Sequence, residues 1–360
     1  MNIHDPFNLL RTKQESIGKP PGTLTYSGNY RDVDIKIELI TYQEDSFDIQ
    51  LIGDWKQLLN IIDNSQLEKQ IYWVNIIGLN HQELIESIGE RLKIHHMDLE
   101  DIAHVSQWSK ILDQGDYLFS VFKMIYLKDG EINHEHVSVI MKKNLVITFQ
   151  ETPGDVFDHI RIRIKNHNGQ IRLKDSNFLY YSILDTIIDE YIVVLNHISI
   201  KYNEIEMKII DGTNPDKEEL YRLRKELLYF SNSIAPLIDS VRRFISEKNS
   251  FYRDEMAPYY SDINIHLNQV FESIKGYREM SNGLHEMHMS NVSMKMNKAM
   301  MTLTIFSAIF IPLSFLAGVF GMNFRYIPGL DNHNSFFIFI SFCLILASGM
   351  ITYFKGKEWF

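Results

Sequence analysis

Two uncharged runs near the end of the chain limit what it can be. Met300 to Phe320 holds 21 residues without a charge, and Ser335 to Phe354 holds 20. As helices rising about 1.5 Å per residue, each run spans roughly 30 Å, the thickness of a bilayer's hydrocarbon core. The rest of the chain is not membrane-like. Of its 360 residues 45% are apolar and 23% charged, and mean hydropathy is slightly negative. The expected organisation is therefore a large water-soluble part followed by a small membrane part, in two or three structural units.

Flanking charges set the orientation. Lys295 and Lys298 precede the first run, Lys355 and Lys357 follow the second, and the loop between carries only Arg325 and Asp331. Basic residues stay in the cytoplasm, so both termini are expected inside and the short loop outside. Met1 to Gln14 lacks a charged-then-apolar export pattern, which agrees. The expected location is the plasma membrane, the inner membrane in a Gram-negative cell. A formal net charge of −10 argues against nucleic acid as a partner. The single cysteine, Cys343, excludes an intramolecular disulfide framework and a Cys-rich metal site.

The two runs differ. The second, rich in Phe, Ile and Leu, reads as lipid-facing. The first carries a stripe: Ser293, Asn297, Met300, Thr304, Ser307, Ile311 and Ser314, in steps of 4, 3, 4, 3, 4, 3. Such steps keep residues on one helix face. Polar groups facing lipid are costly unless satisfied, so one reading is a helix packed around a wet axis. In the other, Ser and Thr bond back to their own helix carbonyls. Asn297, aligned with the rest, favours the wet axis. Two spans cannot enclose a pore, so this reading requires a cyclic homo-oligomer. Met300 and Ile311, with Leu303 beside them, would form apolar rings able to gate by dewetting. The run ends in Gly321-Met322-Asn323, where Gly321 suits a left-handed helix end and Asn323 sits at the outer mouth. A ring of Asn carbonyls suits a hydrated hard cation such as Mg²⁺.

The stretch Ile309 to Phe324 resembles the pore helix of the CorA family of magnesium transporters. Lys355-Gly356-Lys357-Glu358-Trp359-Phe360 resembles that family's basic end. Trp73 to Leu79, Leu99-Glu100-Asp101-Ile102, Phe149-Gln150-Glu151, Gly154 to Phe157 and Ile160 to Ile164 resemble segments of its soluble domain, so the likeness runs from about Gly22 to the end. The resemblance implies an α+β membrane protein. It implies a homopentamer with a funnel-shaped cytoplasmic domain, and a selectivity site at Gly321, Met322 and Asn323. It places Asn297 on the family's pore asparagine, Met300 and Leu303 on its constriction, and Glu286 at the inner pore end. It implies regulatory Mg²⁺ between subunits at Glu100, Asp101 and Asp262. The outer loop departs from the family's usual Met-Pro-Glu-Leu: it reads Ile327-Pro328-Gly329-Leu330, and Asp331 is the candidate replacement for the missing acid. The implied function is channel-like Mg²⁺ entry, with Co²⁺ or Ni²⁺ as further cargo. A Zn²⁺ transporter of the same fold and a membrane-anchored metal sensor are the alternatives.

Upstream, strands are expected over Thr23 to Tyr26, Ile35 to Tyr42, Phe47 to Ile52, Ile71 to Ile77, Tyr117 to Leu127 and His136 to Phe149. Helices are expected over His81 to Leu92, Asp98 to Ala103 and Asp155 to Lys165, giving an α/β domain with a mixed sheet. Beyond Ser176 the pattern is helical: Phe178 to Ile210, a turn at Asp211 to Pro215, Lys217 to Glu247, and an unbroken rod of about 90 Å after Pro258. The expected boundaries are an α/β domain over 1–170, a helical hairpin over 171–257, a stalk helix entering the pore over 258–321, an outer loop over 322–334, a second span over 335–354 and a basic tail over 355–360. Asp185 and Asp189 stand four apart on one helix face, a further candidate for sensing the ion. The dense methionines from Met280 to Met301 read as packing, because Met-x-Met pairs lie on opposite sides of a helix. His285 and His288 lack a third metal ligand and read as surface residues. No nucleophile–base set, phosphate loop or His-Glu-x-x-His motif suggests an enzyme.

Overall fold

The computed structural model describes residues 18, 20–65, 70–213, 216–248, 250–323, 325, 327, 329 and 333–357. Residues 1–17, Pro215, Phe324, Pro328, Leu330, Asp331 and the tail Glu358-Trp359-Phe360, all read above from sequence, lie outside them. The chain divides into two compact units, Met1–Met207 with Pro215–Asn282, and Lys208–Asn214 with Gly283–Phe360.

In the first unit the strands are β1 (Lys36–Tyr42), β2 (Phe47–Ile52), β3 (Ile71–Ile77), β4 (Lys110–Asp113), β5 (Leu118–Lys128), β6 (Glu131–Lys142) and β7 (Leu145–Gln150). They form one mixed sheet in the order β2-β1-β3-β7-β6-β5-β4, in which β3 and β7 are parallel and the other neighbours antiparallel. The central strands read as continuous apolar runs because both faces are covered. Every residue of β7 is buried. One face packs on α1 (Trp55–Ser65), α2 (Gln82–Leu92) and α3 (His96–Ala103), through Leu58, Leu84, Ile88, Leu99 and Ile102. The other meets α4 (Asp158–Lys165) and α5 (Ser176–Ile210): Phe157, the residue before α4, is edge-on to Trp73, and Tyr180 shares a 2.7 Å hydrogen bond with Ser120. Helix α6 (Lys217–Glu247) packs against β4 and β5. A 3₁₀ turn at Asp254–Met256 leads into α7 (Ala257–Phe320), and α8 (Ser335–Gly356) ends the described chain.

Two expectations are corrected, and two elements were not anticipated. Thr23 to Tyr26 is not a strand but a strap, whose bonds leave the sheet. Gly22 N–H donates to Glu100 Oε2 (2.8 Å), Ser27 N–H to Ala103 O (3.1 Å) and Tyr26 O–H to Glu151 Oε1 (2.8 Å). Its alternation reflects Leu24 and Tyr26 turning inward, each 7% exposed. His136 to Phe149 is two strands, turned at Lys143-Asn144. Helix α1 and strand β4 had no counterpart in the sequence reading. The β5–β6 turn is Asp129-Gly130 with φ of 53° and 77°, the mirror-image turn that matches strand twist.

Two polar networks lie within this unit. Asp155 accepts from Arg161 at both oxygens (2.6 and 2.7 Å), from Phe157 N–H (2.9 Å) and from Asn75 and Gln150 (each 3.2 Å). Arg161 also reaches Glu38 (2.8 Å), and Thr148 links Asn75 to the Trp73 indole. The segments Trp73 to Leu79, Gly154 to Phe157 and Ile160 to Ile164, distant in sequence, are thus one hydrogen-bonded unit. The second network holds Glu135, whose Oε1 accepts from Thr152 N–H (2.9 Å) and whose Oε2 is buried without a partner. Burial pushes its carboxyl up to about 8.

Candidate functional site

In the second unit, α7 and α8 have the character of membrane spans. Both are long and apolar enough to cross a bilayer, and only 6% of the most apolar window of the first and none of the second is buried. A core helix of a soluble protein would be covered. The helix continues through Pro312, which has no N–H and so deprives the Ala308 carbonyl of its usual donor. Phe320 packs on Phe339 with ring centroids 5.0 Å apart, joining the end of α7 to the first turns of α8.

The stripe on α7 is open along its length. Glu286, Ser293, Asn297, Thr304 and Ser314 are exposed and Ser307 is half-buried. Met300, Leu303 and Ile311 are 53%, 68% and 67% exposed, high for apolar side chains of a folded unit. Thr304 donates to the Met300 carbonyl (2.9 Å), so for this residue the back-bonded alternative holds. Gly321, Met322 and Asn323 follow the last turn, all exposed. Gly321 is not the left-handed cap expected. Its N–H still reaches Ala317 O (2.9 Å), and a Cβ would sit 3.0 Å from that same oxygen, so close approach rather than handedness calls for glycine.

The turn after α5 meets α7 in this unit. Asn291 Nδ2 donates to the Ile209 carbonyl (2.9 Å) and Lys295 Nζ to the Gly212 carbonyl (2.6 Å). Carbonyls at a helix C-terminus carry the negative end of the helix dipole, so a lysine is well placed there. Lys295 drew notice in the sequence only as a flanking charge, and nothing there pointed to Asn291.

The sensing candidates fall in two places in the first unit. On α3, Glu100 accepts from Gly22 N–H, while Asp101, 8% exposed, is ion-paired with Lys110 of β4. Burial raises the Asp101 carboxyl above its ordinary range, and Lys110 opposes this. On α5 and α7, Asp185, Asp189 and Asp262 lie within electrostatic reach of one another. Burial first, then the Asp189 charge, lifts the Asp185 carboxyl to about 6; Arg163 and His266 counter this, and Asp262 adds to it. His266 is 3.8 Å from Asp262. Among the described residues no three His, Cys, Asp or Glu groups converge closely enough to chelate a metal in one chain. The donor chemistry still fits a hard divalent cation. The α5–α7 acids offer under-compensated carboxylate oxygens, whereas Glu100 and Asp101 already have donors that would have to yield.

The model of the CorA-like Mg²⁺ transporter protein family matches residues 68–355. The cobalt/magnesium transport protein CorA of Thermotoga maritima is 35% identical over 347 residues, covering 95% of this chain and 97% of that one. The zinc transport protein ZntB of Pectobacterium carotovorum is 25% identical over 223 residues, covering 62% of this chain and 67% of its own. Among solved structures, the CorA magnesium transporter of Methanocaldococcus jannaschii shares the fold with a TM-score of 0.74 at 18% identity, over 91% of this chain and 99% of that one. A family match across four-fifths of the chain and a close full-length relative give one conclusion: the chain belongs to the CorA-like family of Mg²⁺ transporters, carriers of divalent cations and not enzymes.

Proposed function

We propose that five copies of this chain form a plasma-membrane channel that admits Mg²⁺ to the cytoplasm and closes when cytoplasmic Mg²⁺ is high. The observation that carries this reading is the open stripe on α7, polar and apolar in turn, leading to Asn323. Around a symmetry axis, each residue of the stripe becomes a ring. Asn323 carbonyl oxygens hold the hydrated ion at the outer mouth, where neutral oxygens suit an ion that sheds water reluctantly. Asn297, Ser307 and Ser314 offer polar contacts along the path, and Glu286 draws the cation to the inner end. Met300, Leu303 and Ile311 form dry rings that block ions when narrow. The Thermotoga relative's name, cobalt/magnesium transport protein, supports this cargo.

Closure rests on the acids of the cytoplasmic unit. A divalent cation bound there supplies positive charge that offsets carboxylates of adjacent copies. Asp185, Asp189 and Asp262, with Glu100 and Asp101, are the groups that hold it. Without it, these acids repel and the ring loosens. The α5–α6 turn, fastened to α7 at Asn291 and Lys295, gives movement of the hairpin a direct hold on the pore helix.

The test is Mg²⁺ uptake into liposomes holding the purified protein beside Asn323→Ala, with Zn²⁺ and Co²⁺ as competitors. Mg²⁺ entry that disappears in the variant supports the pore and its filter together. Zn²⁺ flux without Mg²⁺ entry would replace the cargo and keep the pore. No flux of any ion, from folded oligomers, would leave a membrane-anchored sensor.

A further inference from the structure

Helix α3 carries three acids, and each is met by a donor from its own chain. Asp98, 2% exposed, accepts from Tyr117 O–H (2.6 Å) and Gln114 Nε2 (2.9 Å). Glu100 accepts from the Gly22 amide. Among the described residues, only Asp101 of the three is met by a full positive charge, the ammonium of Lys110. That ammonium also lies 5.7 Å from the centre of the Phe119 ring, so it is held from two sides.

We propose that Lys110 is a tethered counter-ion: it occupies Asp101 when the regulatory cation is absent, competes with that cation, and so sets the Mg²⁺ concentration at which the site fills. This deepens, and rests on, the sensing role proposed for Asp101. The chemistry is direct. An ammonium and a divalent cation both require the same carboxylate, and the buried Asp101 has little water to screen one from the other. Lys110 can yield. Its charge sits on a flexible four-carbon stem, and its side chain is 25% exposed against 11% for Asp101. A lysine that must be displaced before the cation binds moves the filling point to higher concentration. A sensor that should ignore scarce Mg²⁺ and respond to abundant Mg²⁺ needs such an offset.

The experiment titrates MgCl₂ into the full-length protein in detergent, at constant ionic strength and pH 8, and follows the melting temperature. Its readout is the Mg²⁺ concentration at half-maximal stabilisation, which does not depend on transport. Lys110→Met keeps the stem on Phe119 and removes the charge. Its midpoint is expected to fall about fivefold, the upper end of what a partly exposed ion pair contributes. Lys110→Gln serves as a second neutral variant, and Lys110→Arg, which keeps the charge, is expected to stay within about twofold of the parent. An unchanged or higher midpoint in the neutral variants overturns the proposal. So does failure of both to fold, which would make Lys110 a structural partner only. Asp101→Asn separates the two levels. If it too leaves the midpoint unchanged, the sensing role of Asp101 fails. If it raises the midpoint while the neutral Lys110 variants do not lower it, only the counter-ion proposal fails.

Discussion

Replacing Arg161 by Met tests whether the network beneath Trp73 holds the first unit together. The guanidinium makes three short bonds to two carboxylates, Asp155 at 2.6 and 2.7 Å and Glu38 at 2.8 Å. It is 15% exposed, Asp155 4% and Glu38 22%, so water screens the group weakly. A fourth contact, to Asp158, ends on a side chain 80% exposed and contributes little. Removing one partner of a buried ion pair costs about 3–5 kcal/mol, because the other charge is left behind. Here Asp155 keeps Asn75, Gln150 and the Phe157 amide, which places the expected loss at the lower end, about 3 kcal/mol. For a unit of this size that lowers the melting temperature by roughly 6–12 °C. Tryptophan fluorescence of the full chain during heating reports it directly, since Arg161 lies 5.3 Å from the Trp73 ring centre. Adding Asp155→Asn and Glu38→Gln to Arg161→Met removes the stranded charges and should restore at least half of the loss. Arg161 holds the Asp155 carboxyl below its ordinary range against the effect of burial. A depressed carboxyl stabilises above the unfolded value, near pH 4, and loses that effect as pH falls below it. The gap between parent and variant should therefore narrow in acid. A drop of less than about 3 °C, or no recovery in the triple variant, refutes the reasoning.

Glu135 gives a pH effect of opposite sign. Its folded-state carboxyl lies at about 8, above the unfolded value, so it favours the folded state at low pH and this advantage is lost as pH rises toward 8. Heating Glu135→Gln and the parent between pH 5.5 and 8 should show a fall with pH in the parent that the variant lacks; parallel curves would exclude the effect. For the α5–α7 acids, Asp185→Asn with Asp189→Asn should raise the melting temperature in EDTA at pH 7.5 by a few degrees, by removing repulsion. The same variant should need several-fold more Mg²⁺ for stabilisation, which a titration in the same assay would check.

What could be read from sequence depended on how far apart the interacting residues are. Spacing alone located the two spans, both ends of α6 at Lys217 and Glu247, and strands such as Ile71 to Ile77, because these patterns are local. The stripe from Ser293 to Ser314 was legible for the same reason. The strap was misread because inward-turned Leu24 and Tyr26 imitate a strand, while the segment is tied to α3 at its ends, through the Gly22 and Ser27 amides. Helix α1 is the second miss, although its apolar residues follow a helical repeat. Strand β4, four residues long, is too short to show a period. The partners of the site residues were illegible. Lys110 lies nine residues from Asp101, and Asn291 lies 82 from Ile209; neither separation is a helix or strand repeat. Gly321 was placed correctly for the wrong reason, since a C-terminal glycine in sequence does not tell a left-handed turn from a close approach.

The fastening of the α5–α6 turn to α7 also bears on how the chain is made. A ribosome releases Ile209 and Gly212 more than 80 residues before Asn291 and Lys295 exist to bind them. Until then the turn must satisfy those carbonyls with water. Its final partners arrive only as the first span is being delivered to the bilayer. The hairpin's turn therefore receives its last contacts late, when the segment that leads directly into the first span has been made.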